Sequence, residues 1–211
     1  MHVHAIRKRF PYSLPGDVFL DVGANIGLYG VTAGYQGATV VAFEPVERAA
    51  RLAEENMRRN SVEGIVHRVA LADRDGMTGF SEGDVGAHID PSGPNEVRVR
   101  RLDAFDIEPG VITILKVDAE GHDLEVLRGA HDLLAQILPI VLVEIWAGGR
   151  EVRELLDPLG YRYFDYDWRS CRLLDERGQL DGNLLAIHPD RLAVVRSRLT
   201  GSHDDLEDQL G

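Results

Sequence analysis

The run Val111-Ile112-Thr113-Ile114-Leu115-Lys116-Val117 is almost continuously apolar and rich in β-branched residues. A strand with one wet face alternates polar and apolar side chains. A strand without alternation is covered on both faces, as in a parallel sheet held between two helix layers. Further strands are expected at residues 17–22, 38–43, 65–71, 97–102, 140–146, 161–166 and 183–187. Between several of them the apolar positions recur at helical spacing. Val46, Ala49, Ala50, Ala53 and Met57 mark a helix ending near Asn60, and Leu124, Leu127, His131, Leu134 and Leu138 mark one over 122–137. Helices are also expected over 26–36 and 152–159 and from Pro189 onward. Strands alternating with helices around one doubly buried strand specify an α/β fold with a mostly parallel sheet.

At 211 residues the chain suits one domain, read as a short N-terminal segment (1–16), a body (17–200) and an acidic tail (201–211). The tail is polar and aperiodic, which predicts disorder. Residues 72–95 are rich in Gly, Asp, Ser and Pro, so 72–102 reads as an inserted hairpin and lid; loops of that length inside a compact domain are often functional. Acidic residues outnumber Lys and Arg 35 to 23, for a net charge of −12, the wrong balance for gripping a phosphate backbone, which excludes nucleic acid as a partner. The basic strip of Arg98, Arg100 and Arg101 alternates with valines and reads as the solvent face of a strand. No apolar stretch approaches the roughly 18 residues of a membrane span. The N-terminal segment carries Arg7, Lys8 and Arg9 without the apolar core of a secretory signal. A single cysteine, Cys171, allows no internal disulfide and fits a cytoplasmic location.

The segment Asp21-Val22-Gly23-Ala24-Asn25-Ile26-Gly27 closes the first strand and opens a helix. Glycines there allow a tight turn and close approach of a ligand to the backbone, and the helix N-terminus offers free N–H groups. Glu44 ends the next strand, 21 residues after Gly23, where a carboxylate can accept both hydroxyls of a ribose. Together they form a nucleoside pocket. A dinucleotide fingerprint needs a glycine where Asn25 stands, and no phosphate-cradling P-loop is present. Asp21 beside the loop suits a ligand with a cationic amino-acid end, and S-adenosylmethionine is such a ligand.

Three ordered motifs carry a family resemblance: the glycine loop, Ala42-Phe43-Glu44-Pro45, and Leu115-Lys116-Val117-Asp118-Ala119-Glu120-Gly121-His122-Asp123 with Gly129-Ala130 beyond it. Over roughly residues 19–146 the chain resembles the FkbM-type methyltransferases. The resemblance implies the Rossmann-like α/β fold of class I methyltransferases, a seven-stranded, mostly parallel sheet with helices on both faces and an antiparallel last strand. It implies methyl transfer from S-adenosylmethionine to a hydroxyl, mostly on sugars and polyketide-type metabolites. Carried over residue by residue, Asp21, Gly23, Asn25, Gly27 and Glu44 would hold the cofactor, and Asp73 would meet its adenine. Many relatives have a long segment before the first strand, whereas about sixteen residues precede it here. The 76–95 insertion, or a partner subunit in a homodimer, is then needed to cover the acceptor.

A neutral alcohol needs a general base or a metal to become a competent nucleophile. Asp118, Glu120, His122 and Glu144 are the candidates. Asp118 and Glu144 end neighbouring strands and should point into one crevice, and His122 opens the following helix. Two routes follow: His122 takes the proton while Asp118 or Glu144 orients its ring, or Asp118, Glu144 and His122 hold a divalent ion, with carboxylate oxygens favouring Mg²⁺. The metal route resembles the placement in catechol-type O-methyltransferases. Glu120 also fits a helix cap, and Lys116 fits a strand-end charge paired to Glu144. His131 reads as a partly buried core histidine and His88 as a lid residue or a simply exposed one, while Trp146, Tyr166 and Trp168 fit stacking on a sugar face as well as core packing or rim exposure. The expected activity is O-methylation of a small polar metabolite, a sugar or glycoside first. A polyketide-type hydroxyl or an N-methyl acceptor is the nearer alternative. A non-catalytic cofactor-binding subunit is the alternative of another class; it predicts cofactor binding without turnover. A nicotinamide oxidoreductase is a third option, which Asn25 disfavours.

Overall fold

The computed structural model describes residues 14–83, 86–145, 148–167, 172–175 and 182–207. Arg7, Lys8, Arg9, Trp146, Trp168 and Cys171 lie outside the described residues. Along the chain, β1 (Val18–Val22), α1 (Leu28–Tyr35), β2 (Thr39–Phe43), α2 (Glu47–Arg59) and β3 (Gly64–His67) form the first half. Four strands follow: β4 (Ala70–Leu71), β5 (Gly76–Gly83), β6 (Gly86–Ile89) and β7 (Asn95–Arg100). The second half is β8 (Thr113–Val117), α3 (Asp123–Arg128), α4 (His131–Gln136), β9 (Ile140–Ile145), α5 (Gly149–Leu156), β10 (Arg162–Asp167), β11 (Arg172–Asp175), β12 (Gly182–Ile187) and α6 (Pro189–Glu207).

The main sheet runs β11-β10-β12-β9-β8-β1-β2-β3. All five residues of β8 are buried, as an unalternating strand at the centre of a parallel sheet requires. It pairs in parallel with β1 on one side and β9 on the other. The last strand, β12, is antiparallel to β9, as expected. In α2 the buried residues Ala50, Ala53 and Met57 recur at one-face spacing. The chain winds outward from β1 to β3, then crosses back to β8 on the other side of β1. That reversal opens a crevice at the carboxyl ends of β1 and β8, where ligands of such sheets bind.

Several expectations are corrected. The main sheet has eight strands rather than seven, because β11 adds at the edge. Its burial is exposed at three of four positions, so it carries none of the apolar alternation that marks a half-buried strand. The single strand expected over 65–71 is two, β3 in the main sheet and β4 in a second sheet. That second sheet, ordered β4-β7-β5-β6, gathers the expected hairpin into four strands around Ala70, Ala72 and Val99. The helix expected over 122–137 is broken. Asp103 accepts the N–H groups of Asp132 and Leu133 at 3.0 and 2.9 Å, so a carboxylate caps a new helix start there. The restart shifts the helical phase, and the His131 side chain is 61% exposed beside Asp132 instead of buried in the core. Tyr166 packs against core residues of the main sheet. Finally, α6 continues to Glu207 into the stretch expected to be disordered; Gly201 is its one poor helix former there, at about 1 kcal/mol.

Candidate active site

The glycine loop is held from both ends. Gly23 and Ala24 both donate their N–H groups to the Phe43 carbonyl at 3.1 Å, which ties the loop after β1 to the end of β2. Gly23 has φ +69°, and a Cβ there would lie 1.8 Å from the Asp118 carbonyl oxygen. Only glycine lets the loop press against the chain leaving β8. Asn25 is also left-handed, at φ +50°, a conformation asparagine tolerates. Its N–H donates to Glu44 Oε2 at 2.8 Å, and the Val46 N–H donates to Glu44 Oε1 at 2.8 Å. Burial pushes the Glu44 carboxyl above its ordinary range, against those two donors, which favour the anion.

A cavity of about 320 Å³ opens beside this loop, within the size range of small-molecule sites. Gly23, Asn25 and Glu44 form one wall, Val69, Ala70 and Leu71 another, and Asp118, Glu120 and His122 a third. The chemistry suits a nucleoside. Each Glu44 oxygen accepts one backbone N–H and has capacity for a second donor, enough for two ribose hydroxyls. Phe43, Val46 and Leu71 supply apolar walls for a base.

Behind the loop lies a buried charge cluster. The parallel register sets Asp21 directly beside Lys116. The Lys116 ammonium is 3.3 Å from Asp21 Oδ1 and 3.3 Å from Asp118 Oδ2, so its partners are these two and not Glu144. Burial works against its charge, but the two carboxylates outweigh it and hold Lys116 above its ordinary range. Glu144 is half-buried beside Asp118 but is not among the residues that line the cavity, so of the two expected carboxylates Asp118 is the one at the cavity wall. Burial, then repulsion from Asp118, pushes Glu144 upward.

His122 faces the inserted sheet. Its Nε2 lies 2.8 Å from the Ile89 carbonyl of β6. A carbonyl only accepts, so Nε2 carries the proton and Nδ1 is left as the lone-pair nitrogen of the neutral ring. The carboxylate nearest Nδ1 is Glu125, at 4.0 Å, so neither Asp118 nor Glu144 orients the ring as the sequence led us to expect. His88 lines the cavity from the same strand, β6. Glu120 is exposed at the mouth with φ +49°. It does not cap α3: His122 holds the N-cap position, and the turn before it is closed by Asp123, whose Oδ1 accepts the Ala119 N–H at 2.8 Å.

Three expected cofactor contacts are displaced from the cavity wall. Asp21 is fully buried beneath the loop, with Oδ2 accepting the Gly30 N–H at 3.0 Å. It braces the loop and presents no carboxylate to a ligand. Gly27 serves helix packing, since a Cβ there would lie 3.0 Å from that of Ala53 in α2. Asp73 points outward and pairs with Arg74 at 3.3 Å, two residues past β4, the strand that does line the cavity. The expected magnesium site does not fit either. Among the described residues no three His, Cys, Asp or Glu side chains gather to hold an ion, and Lys116 already stands beside Asp118. Phe80 and Ile89 went unforeseen as cavity residues. They pair across the β5–β6 hairpin, and only the hairpin register shows that both point inward.

No helix among the described residues is long and apolar enough to cross a membrane. The chain is 33% identical over 149 residues to the hexuronic acid methyltransferase AglP of Haloferax volcanii, covering 66% of this chain and 61% of that protein. It is 30% identical over 158 residues to the 31-O-demethyl-FK506 methyltransferase FkbM of Streptomyces tacrolimicus, covering 56% of this chain and 61% of that protein. It therefore spans about 61% of the length of each of these relatives. The fold matches the crystal structure of methyltransferase FkbM from Methylobacillus flagellatus with a TM-score of 0.56 at 19% identity, over 84% of this chain and 44% of that one. The model of the methyltransferase FkbM domain matches residues 21–163, from the glycine loop through the crevice to β10, and the chain belongs to that family.

Proposed function

We propose that the protein transfers a methyl group from S-adenosylmethionine to a hydroxyl of a small polar acceptor, a sugar or glycoside. The observation that carries this reading is the single cavity whose walls are the nucleoside-type loop with Glu44 and the acid-bearing turn Asp118–His122. When bound, S-adenosylmethionine supplies an electrophilic methyl group. Gly23, Asn25 and Glu44 fix the nucleoside end, and the chain's other task is to orient the acceptor hydroxyl and take its proton. The Asp118–Glu144 pair is the better-placed base. Asp118 faces the cavity, and the raised Glu144 carboxyl behind it is suited to keep a proton. The sugar preference draws on the hexuronic acid named for AglP. The acceptor wall differs in one respect: no Lys or Arg lines the cavity among the described residues, while Asp118 and Glu120 do. That wall favours an uncharged hydroxyl group over a carboxylated or phosphorylated sugar. A polyketide-type hydroxyl is the second reading, supported by the FK506 named for the other relative.

The reading is tested by offering neutral sugars, uronic acids and macrolide alcohols with methyl-labelled S-adenosylmethionine. Label on a neutral glycoside hydroxyl is expected; label only on amines or only on uronic acids refutes it. On the best acceptor, His122→Ala is expected to lose about tenfold in kcat/KM, chiefly through KM. That is the scale of one hydrogen bond, here the lid contact to Ile89. A loss of 10³ or more in kcat at unchanged KM would return the base role to His122.

A further inference from the structure

We propose that Lys116 is the resident cation of the site, a positioning residue whose ammonium ties the cofactor loop to the acceptor-side carboxylate Asp118 where a divalent ion was expected. The inference rests on the cavity being an S-adenosylmethionine site.

The contacts run in two directions. Inward, Lys116 meets Asp21 at 3.3 Å in sheet register. Burial pushes the Asp21 carboxyl upward, and the Lys116 charge beside it works against that push. Outward, it donates to the carbonyls of Gly23 at 3.3 Å and Val22 at 3.5 Å and meets Asp118 at 3.3 Å. The Tyr29 ring closes the remaining side, 4.9 Å from the ammonium. Gly23 belongs to the donor wall of the cavity and Asp118 to the acceptor wall. One side chain, itself 6% exposed, therefore spans both halves of the site from behind.

Two carboxylates and two carbonyls point their negative ends at this centre. Without a cation between them they repel, and the loop, already in contact with the Asp118 backbone at Gly23, has to move. A mobile metal would fill the same electrostatic role only at a sufficient concentration. A lysine held by two carboxylates fills it permanently, and its charge occupies the side of Asp118 that an incoming ion needs.

The test uses calorimetric titration of S-adenosylhomocysteine into the full chain. Lys116→Met alone leaves the fully buried Asp21 without its cation partner, so Lys116→Met/Asp21→Asn is the informative variant, with folding checked by thermal melting. Expected is a melting temperature near that of the parent with S-adenosylhomocysteine binding at least tenfold weaker. A folded double variant that binds as tightly as the parent overturns the role of Lys116. The unaltered protein supplies a second measurement that does not depend on the variant folding. Mg²⁺ titrated alone is expected to give no saturable binding, and S-adenosylhomocysteine affinity is expected to be equal in EDTA and in Mg²⁺. Saturable Mg²⁺ binding that Asp118→Asn removes overturns the proposal. Failure of the unaltered protein to bind S-adenosylhomocysteine at all instead refutes the cofactor reading on which it rests.

Discussion

Gly23→Ala is expected to lower the melting temperature by roughly 4–20 °C and to weaken S-adenosylhomocysteine binding by about 100-fold or more. Two costs combine. The left-handed φ of +69° costs a Cβ-bearing residue about 1–2 kcal/mol. Forcing a methyl group to within 1.8 Å of the Asp118 carbonyl is impossible without moving backbone, an overpacking cost of about 1–3 kcal/mol. The sum, about 2–5 kcal/mol, converts to that shift at about 2–4 °C per kcal/mol for a chain this size. Binding suffers beyond stability, because relief requires the loop to swing away from Asp118 and take Asn25, and hence its bond to Glu44, with it. Thermal melting and calorimetry on the one variant check both effects. Parent-like behaviour in both would mean that the loop does not pack as described. Gly27→Ala carries the same left-handed cost at φ +78° but crowds only Ala53, so it should lower stability while sparing the cavity wall.

The parts of the fold that the sequence discloses are those where one face or both faces of an element are buried. The run 111–117 announced a doubly covered strand, and β8 is that strand. The spacing of Ala50, Ala53 and Met57 announced the buried face of α2. What escaped has a common origin in contacts between distant residues. Nothing near residue 130 reveals that Asp103 caps a new helix there, and the four residues of β11, two leucines between two charges, have no alternation that marks an edge strand. The site divides in the same way. Gly23, Asn25 and Glu44 were legible because a local turn and a strand end determine them. Asp21 was legible as important but not as buried. Its partner Lys116 lies 95 residues on, and only the β1–β8 register puts the two side by side. His122 was legible at a helix start, while its bond to the Ile89 carbonyl depends on how the inserted sheet folds back.

The largest kinetic effect is expected at Asp118. Asp118→Asn should lower kcat by about 10²–10⁴, the usual contribution of a positioned proton acceptor, with S-adenosylhomocysteine affinity within about threefold of the parent. The two readouts separate because the side chain has two neighbours with different duties. Toward the cavity, the carboxylate lines the wall together with Glu120 and faces an acceptor hydroxyl there, and the amide cannot accept a proton. Toward the interior, Lys116 keeps Asp21 and the Gly23 carbonyl when Asp118 becomes neutral, so the loop stays in place. Glu144→Gln provides the control. If the pair shares the incoming proton, removing the raised carboxyl behind Asp118 should also lower kcat, and the double variant should be little worse than either single one, as residues acting as a unit behave. Multiplicative losses would mean that the two carboxylates act on separate steps. Full activity in Asp118→Asn would leave His122 as the proton acceptor, with its Nδ1 lone pair as the working atom.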